Sequence, residues 1–407
     1  EALGTPEHPT KEDVLRNLFS REAHGARGTF VNDGSAAAQS GTLSEDNISG
    51  FGLGATDLVL NNGTTAVPDL VTYRAGINYH QMEVVELLLG SNADTLEIES
   101  TAENALTVVH GGGGGDTITV TGADGSANVG GDSRTLAVFG DTTQDGQRYN
   151  SRSDAVDGTG RQFAAGGDDV IDVSGANDFV MVYGGVGNDV ITGTNFNDHL
   201  LGGSGNDVIH ALAGNDHVYG DNGLNIDQSV RKELQPQLIS IALSQDPTAA
   251  GFNALTGDAL TAGADQITGS GNNVIVTDFG VIEQIAGTNR AFDTASLTRV
   301  TSARADEAGA DTVTLTDGFD LVIGGQGGDT LSIGTGGGAV LGDNGEIVID
   351  PTTQALSEMR TTETAHGGGD VITAGNGSAY LFGGSDGDTI TSADGDDVIA
   401  GDQGSLT

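Results

Sequence analysis

A period of nine residues runs through the second half of this sequence. Aligned on Gly-Gly-x-Gly-x-Asp-x-U-x, with U a large apolar residue, the sixth position falls on Asp169, Asp178, Asp189, Asp198, Asp207 and Asp216, at steps of 9, 11, 9, 9 and 9. Complete copies stand at 111–119 (GGGGGDTIT, with Asp116 sixth), 184–192 (GGVGNDVIT), 202–210 (GGSGNDVIH) and 324–332 (GGQGGDTLS). The register returns at Asp265, at Asp311, Asp320 and Asp329, and at Asp370, Asp388 and Asp397, with Ala379 where another Asp is expected. A repeat this short cannot enclose a core of its own, so neighbouring units must stack to bury one.

A longer period lies over the first. Blocks of repeats close in Gly-Asp signatures, YGDNG at 219, LGDNG at 341 and AGDQG at 400, with FGD at 139 and TDFG at 277 as weaker copies. Their aspartates are Asp141, Asp221, Asp278, Asp343 and Asp402, and a polar connector follows each of the first four. This divides the chain into an adaptor or cap at 1–50 with a short helix near 11–20, an irregular β-solenoid at 51–135, and repeat blocks at 136–223, 281–345 and 346–407. Between them, 224–280 is a connector plus a short block, in which residues 230–243 read as helical. Glu1 at the start and Ser405-Leu406-Thr407 at the stop read as a piece of something longer.

Physically, each x-U-x is a very short strand with one inward residue, and each Gly-Gly-x-Gly-x-Asp is a turn. Two units make a coil, and stacked coils place Ile171, Ile191, Ile209, Ile323, Leu331, Ile372, Ile390 and Ile399 inward. Burying one such side chain contributes roughly 1.5–3 kcal/mol. Ordering each residue costs about 1–2 kcal/mol of backbone entropy, and large core residues come about once in nine, so apolar burial alone loses. The same stacking sets Asp189 over Asp207, Asp198 over Asp216, Asp311 over Asp329 and Asp370 over Asp388. Carboxylates on strands about 4.8 Å apart repel unless a cation lies between them. Ca²⁺ accepts carboxylate and carbonyl oxygens alike in a flexible shell, whereas Mg²⁺ demands a near-ideal octahedron and keeps its water. Asp and Gly also form turns without metal; it is repetition in register that favours several bound calcium ions.

Composition agrees. A net charge of −43, with 15 basic against 58 acidic side chains, argues against nucleic acid and anionic membrane surfaces as partners. No run of apolar residues is long enough to span a bilayer. The absence of Cys excludes disulfides and thiolate metal sites. No nucleophile elbow, His-Glu-x-x-His or phosphate loop is present, so an enzyme is not expected. His199, His210 and His217 fall at variable repeat positions and read as surface or edge residues. Arg148, Tyr149, Arg152 and Asp154 form a polar cluster in a connector, read as a solvated loop with salt bridges.

The complete copies at 111, 184, 202 and 324 resemble the repeats-in-toxin (RTX) calcium-binding nonapeptide, and the long connectors are similar to those of large surface-associated members of that family. The resemblance implies an all-β fold, a right-handed parallel β-roll, exported by type I secretion and folding on extracellular calcium. Carried over by motif position, it makes ligands of Asp116, Asp169, Asp178, Asp189, Asp198, Asp207, Asp216, Asp265, Asp311, Asp320, Asp329, Asp370, Asp388 and Asp397, joined by the signature residues Asp221, Asp343 and Asp402. Turn glycines, among them Gly185, Gly187, Gly203, Gly205, Gly325 and Gly327, supply carbonyls. Asn273 and Ala379 lack the carboxylate and Phe196 replaces a motif glycine, which weakens those turns. The expected role is a secreted structural or adhesive protein that binds a polysaccharide or cell-surface ligand and assembles end to end. The alternatives are a polysaccharide-modifying enzyme on a parallel coil and a secretion and folding module of a larger toxin or hydrolase.

Overall fold

The computed structural model describes residues 27–31, 38–122, 134–141, 166–221, 261–284, 294, 296–303 and 305–407. The helices expected near 11–20 and at 230–243, and the cluster at Arg148, lie outside these residues. All regular structure among the described residues is β, in two long sheets of 12 and 13 strands, a five-stranded antiparallel sheet and one separate hairpin.

Successive strands of the repeats alternate between the two long sheets. Met181–Val186 belongs to the first, Val190–Thr192 to the second, and His199–Ser204 to the first again. The chain thus winds as a flattened coil, with equivalent residues 18 apart in the regular repeats and 20 or 22 apart in two other coils. Neighbours in the first sheet are parallel throughout, as are those of the second from Ser40–Leu43 to Thr389–Ser392. Strands from within 1–50 join this scaffold directly. Arg27–Val31 pairs with Val84–Leu88 in the first sheet, and Ser40–Leu43 with Thr95–Ile98 in the second.

The two sheets differ in burial for a simple reason: the second has one covered face and the first has two. In the second, Thr312–Leu315 and Val371–Ala374 alternate exposed and buried residues, as a half-buried strand must. Inward Ile171, Ile191, Ile209, Ile267, Val313, Leu331 and Ile372 meet Val182, Leu200, Val218, Ile275, Val322, Val340 and Leu381 of the first sheet. In the first, Asp320–Ile323 and Gly338–Leu341 are buried on both faces. Tyr219, Val276, Ile323 and Leu341 face outward and pack against Ile282, Val300, Ile347 and Met359.

Those last four residues belong to connectors. Gly280–Gln284 and Leu297–Ser302 form one hairpin, Gly345–Ile349 and Leu356–Thr361 a second, and the hairpins pair edge to edge, with Ser405–Leu406 added beside the second. Connectors that read as polar linkers are therefore a third layer. It corrects two sequence readings. Ile323 lies in this outer core, because the position two residues after Asp320 is Val322. His199 and His217 are buried in the outer face of the first sheet, while His210 is half-buried. At the last coil Ile390 is half-buried and Ile399 is 51% exposed.

Candidate metal centre

Each coil has two turns, so the roll has two edges. Along the edge that leads into the second sheet, the residue just before the strand is Asp94, Asp116, Asp169, Asp189, Asp207, Asp265, Asp311, Asp329, Asp370 or Asp388, and register aligns them all in one column. Every member but the last donates its backbone N–H to one carboxylate oxygen of the next. Asp116 reaches Asp169 at 2.6 Å, Asp169 reaches Asp189 at 2.8 Å, Asp189 reaches Asp207 and Asp207 reaches Asp265 at 2.7 Å, and Asp370 reaches Asp388 at 2.9 Å. The ladder is unbroken across four connectors because each returns the chain to the same column.

The other carboxylate oxygen behaves differently. At Asp116, Asp169, Asp189, Asp207, Asp265, Asp329, Asp370 and Asp388 it is buried without a hydrogen-bond partner. It lies across the mouth of the turn: a Cβ added to Gly184, Gly202 or Gly342 would stand 2.3, 2.2 or 2.0 Å from Oδ2 of Asp189, Asp207 or Asp370. Glycine carbonyls line the same edge. A Cβ at Gly205 would come within 1.7 Å of the Gly187 carbonyl oxygen, and one at Gly203 within 2.0 Å of that of Gly185. Gly185, Gly203 and Gly325 also turn at φ of +126°, +116° and +100°, where a side chain is strained. Gly187 and Gly327 occupy the same turns.

A buried row of unpaired anionic oxygens is electrostatically unfavourable, and the carboxyl pKa values respond. Burial first, then the charges of Asp189 and Asp141, pushes Asp169 up to about 10. Burial and Asp207 raise Asp189 far above its ordinary value, and burial with Asp207 and Asp311 does the same to Asp265. Asp329 rises to about 9, through burial and then Asp311. A polar group buried unpaired is costly, and a divalent cation supplies the missing partner. Among the described residues no three acidic, His or Cys side chains converge to hold an ion alone. An ion between rungs therefore needs carboxylate oxygens from neighbouring coils completed by backbone carbonyls, the all-oxygen donor set of a hard, flexible cation such as Ca²⁺.

The signature aspartates form a neighbouring column. Asp141 aligns with Gly185, Asp221 with Gly203, Asp278 with Gly325 and Asp343 with Gly384, by continuation of the strand register. Where glycine occupies this column the chain turns straight on; where Asp occupies it a connector departs. The carboxylate then fastens the connector's return: Asp221 accepts from Gly263 at 2.7 Å, Asp278 from Gly309 at 3.1 Å and Asp343 from Gly368 at 2.8 Å. Asp141, Asp278 and Asp343 also accept from Val186, Gln326 and Ser385, amides of the next turn. Asp221 is pushed up to about 12 by burial and by Asp265 and Asp278. Asp402 is exposed at the last coil.

The opposite edge is incomplete. Its column reads Val180, Asp198, Asp216, Asn273, Asp320, Gly338, Ala379 and Asp397. Asp198 N–H donates to Asp216 at 2.8 Å, Asp216 N–H to the side-chain Oδ1 of Asn273 at 3.2 Å, and Asn273 N–H to Asp320 at 3.0 Å. Asp178 is displaced: Val180 occupies its expected rung, and its carboxylate accepts from Phe179 next door. That is the physical meaning of the single 11-residue step. Asp94, Asp141 and Asp278 belong with the ladder edge but were absent from the expected ligands. Asp94 is flanked by Ser91-Asn92-Ala93 in place of glycines; its one sequence signal is the inward Leu96 two residues on.

A family model for the RTX calcium-binding nonapeptide repeat (4 copies) matches residues 192–226, 307–338 and 373–405. The chain is an RTX repeat protein. The matched stretches hold Asp198, Asp207 and Asp216, then Asp311, Asp320 and Asp329, then Asp388 and Asp397. The complete copies at 111 and 184 begin outside them yet contribute to the same ladder. No curated protein matches the chain. RTX repeats bind calcium, and this one forms an all-β roll on which the binding turns are stacked.

Proposed function

We propose that this RTX protein is a secreted structural or adhesive solenoid that stiffens on binding several calcium ions outside the cell. The ions sit between rungs of the ladder edge, held by the sixth-position aspartates, by Asp221 and Asp343, and by carbonyls of glycines such as Gly187 and Gly205. Each repeat block then acts as a length of roll, and each connector as a hairpin laid over it. The reading rests on one observation, the row of buried, unpartnered Oδ2 atoms from Asp116 to Asp388. In the calcium-poor interior of a cell such a row opposes folding; in millimolar external calcium it drives it. Circular dichroism during calcium titration and then chelation tests this. Strand signal should appear with calcium and vanish with EDTA, and a chain still fully folded after exhaustive EDTA dialysis would refute it.

End-to-end association of copies is the finer part of the proposal. Light scattering in millimolar calcium should report a mass that grows with concentration, and a strict monomer at high concentration removes this part alone.

A further inference from the structure

The hairpin layer does not lie flush on the first sheet. Beside the incomplete edge, described residues of the two hairpins and of the first sheet line a pocket of about 430 Å³, within the range of about 300–1,000 Å³ usual for small-ligand sites. Its lining combines Leu321 from the roll and Ile349 and Leu356 from the second hairpin with the amides of Asn215, Asn272 and Asn273, and Phe319 stands at the rim with 37% of its surface exposed. His217, only 1% exposed, lines it from the first sheet, and Thr294, 8% exposed, lines it from the first hairpin's loop.

Two polar atoms here lack partners. His217 Nε2 and Thr294 Oγ1 are both buried without a hydrogen bond. The other ring nitrogen of His217 bonds the Thr294 backbone, and the buried ring meets no acidic side chain among the described residues of the lining. A ring that donates from Nδ1 to a carbonyl presents Nε2 as an acceptor. The pocket therefore offers an acceptor to a hydroxyl or amide hydrogen, with a threonine hydroxyl nearby that can give or take another. No charged side chain lines it among the described residues, although the chain carries a net charge of −43. Against the described lining an ionised ligand would lose its hydration without a counter-charge. Ser296 and Gln354, also in the lining, hold left-handed backbone at φ of +65° and +55°, a strain that tends to gather at binding sites.

We infer that this pocket binds one neutral, polyhydroxylated ring, a pyranose unit of an uncharged glycan, with a ring hydroxyl donating to His217 Nε2 and a C–H face against Leu321, Leu356 and Phe319. A pyranose combines the features the pocket asks for: hydroxyl donors at its edge, an apolar face and no charge. The inference deepens the adhesive reading and rests on it for its biological sense, while the pocket's chemistry stands apart from the calcium ladder.

The test uses the calcium-loaded chain and four probes, methyl α-glucopyranoside, methyl β-galactopyranoside, methyl α-mannopyranoside and N-acetylglucosamine, with galacturonate as the charged comparator. Saturation-transfer NMR and calorimetry should find saturable binding of at least one neutral probe, preferred over galacturonate. His217→Phe keeps an aromatic ring but removes the acceptor, and should weaken that binding roughly tenfold or more. Its calcium-induced folding transition should not move. Thr294→Val, nearly the same shape, is the second variant should His217→Phe fail to fold, and should weaken binding several-fold. Absence of saturable binding across the neutral panel, equal binding of galacturonate, or undiminished binding to a folded variant overturns the inference. Because calcium-driven folding is read separately, such a failure leaves the ladder intact, and failure of the ladder would appear first in the folding signal.

Discussion

The two edges of the roll are made by the same nonapeptide and have diverged. On the ladder edge every rung from Asp94 to Asp388 is a carboxylate, and the signature aspartates add a second column beside it. On the opposite edge Val180, Asn273, Gly338 and Ala379 interrupt the row. The electrostatics follow. Asp198 and Asp320 are raised to about 7 and Asp216 to about 8, by burial above all, with backbone hydrogen bonds pulling back, whereas at Asp169, Asp189 and Asp265 the charge of a neighbouring aspartate adds the largest push after burial. The ladder edge keeps a carboxylate on every rung; the other replaces several with neutral residues, although Asp216 and Asp320 there also bury an unpartnered Oδ2, and it hosts the uncharged pocket. A repeat can thus keep its backbone geometry on both edges while assigning them different chemistry.

The sharpest way to break the comparison is pH in the absence of calcium. The ladder carboxyls have folded pKa values above the ordinary 3.8, from about 6 at Asp311 to about 10 at Asp169. A group raised on folding stabilises the protonated folded state, so this contribution is fully present below about 3.8 and is lost as pH rises through 6 to 10. In EDTA, circular dichroism should show more strand at pH 5 than at pH 8. In millimolar calcium the order should reverse, because protons compete with the ion. Insensitivity of the calcium-free chain to pH would remove the charge-repulsion account.

Substitutions then compare single rungs. Gly205→Ala drives a Cβ into the Gly187 carbonyl at 1.7 Å and at φ of +138°, and should destabilise the calcium-loaded roll by about 3 kcal/mol. Gly387→Ala, with nothing within 4 Å, should stay within about 0.5 kcal/mol of wild type in the same denaturant series. Asp189→Asn should remove a site worth about 2.7 kcal/mol when calcium is at a hundred times its Kd. It should therefore raise the calcium midpoint more than Asp320→Asn, which copies the natural Asn273 on the incomplete edge; equal shifts would erase the distinction between edges. Asp178→Ala should be the mildest, within about 0.5 kcal/mol, because its carboxylate is off the column and accepts the N–H of its neighbour Phe179. A calcium midpoint moved by Asp178→Ala would restore it as a ligand.

Much of this was legible in the residues. Nine-residue spacing put Asp189 over Asp207 and Ile191 beside Ile209 because stacked parallel strands repeat what the sequence repeats. Asp94 was hidden because its turn is built without the glycine signature, and Asp178 misled because spacing counts residues but does not see a two-residue excess absorbed in a turn. The hairpins were hidden for another reason. Ile282, Val300, Ile347 and Met359 are each separated by polar residues, the pattern of a strand with one covered face, but nothing local names the face that covers them.

By itself, then, the order of residues determined the coil, its two inward rows and the need for a divalent counterion, since these depend on periodicity and charge, which are properties of neighbours along the chain. Only the tertiary structure decided which carboxylates share a column, that connectors fold back as a third layer, and that His217 lines a pocket. Those outcomes depend on contacts between residues far apart in sequence, where a shift of register by one or two positions exchanges a buried ligand for an exposed side chain.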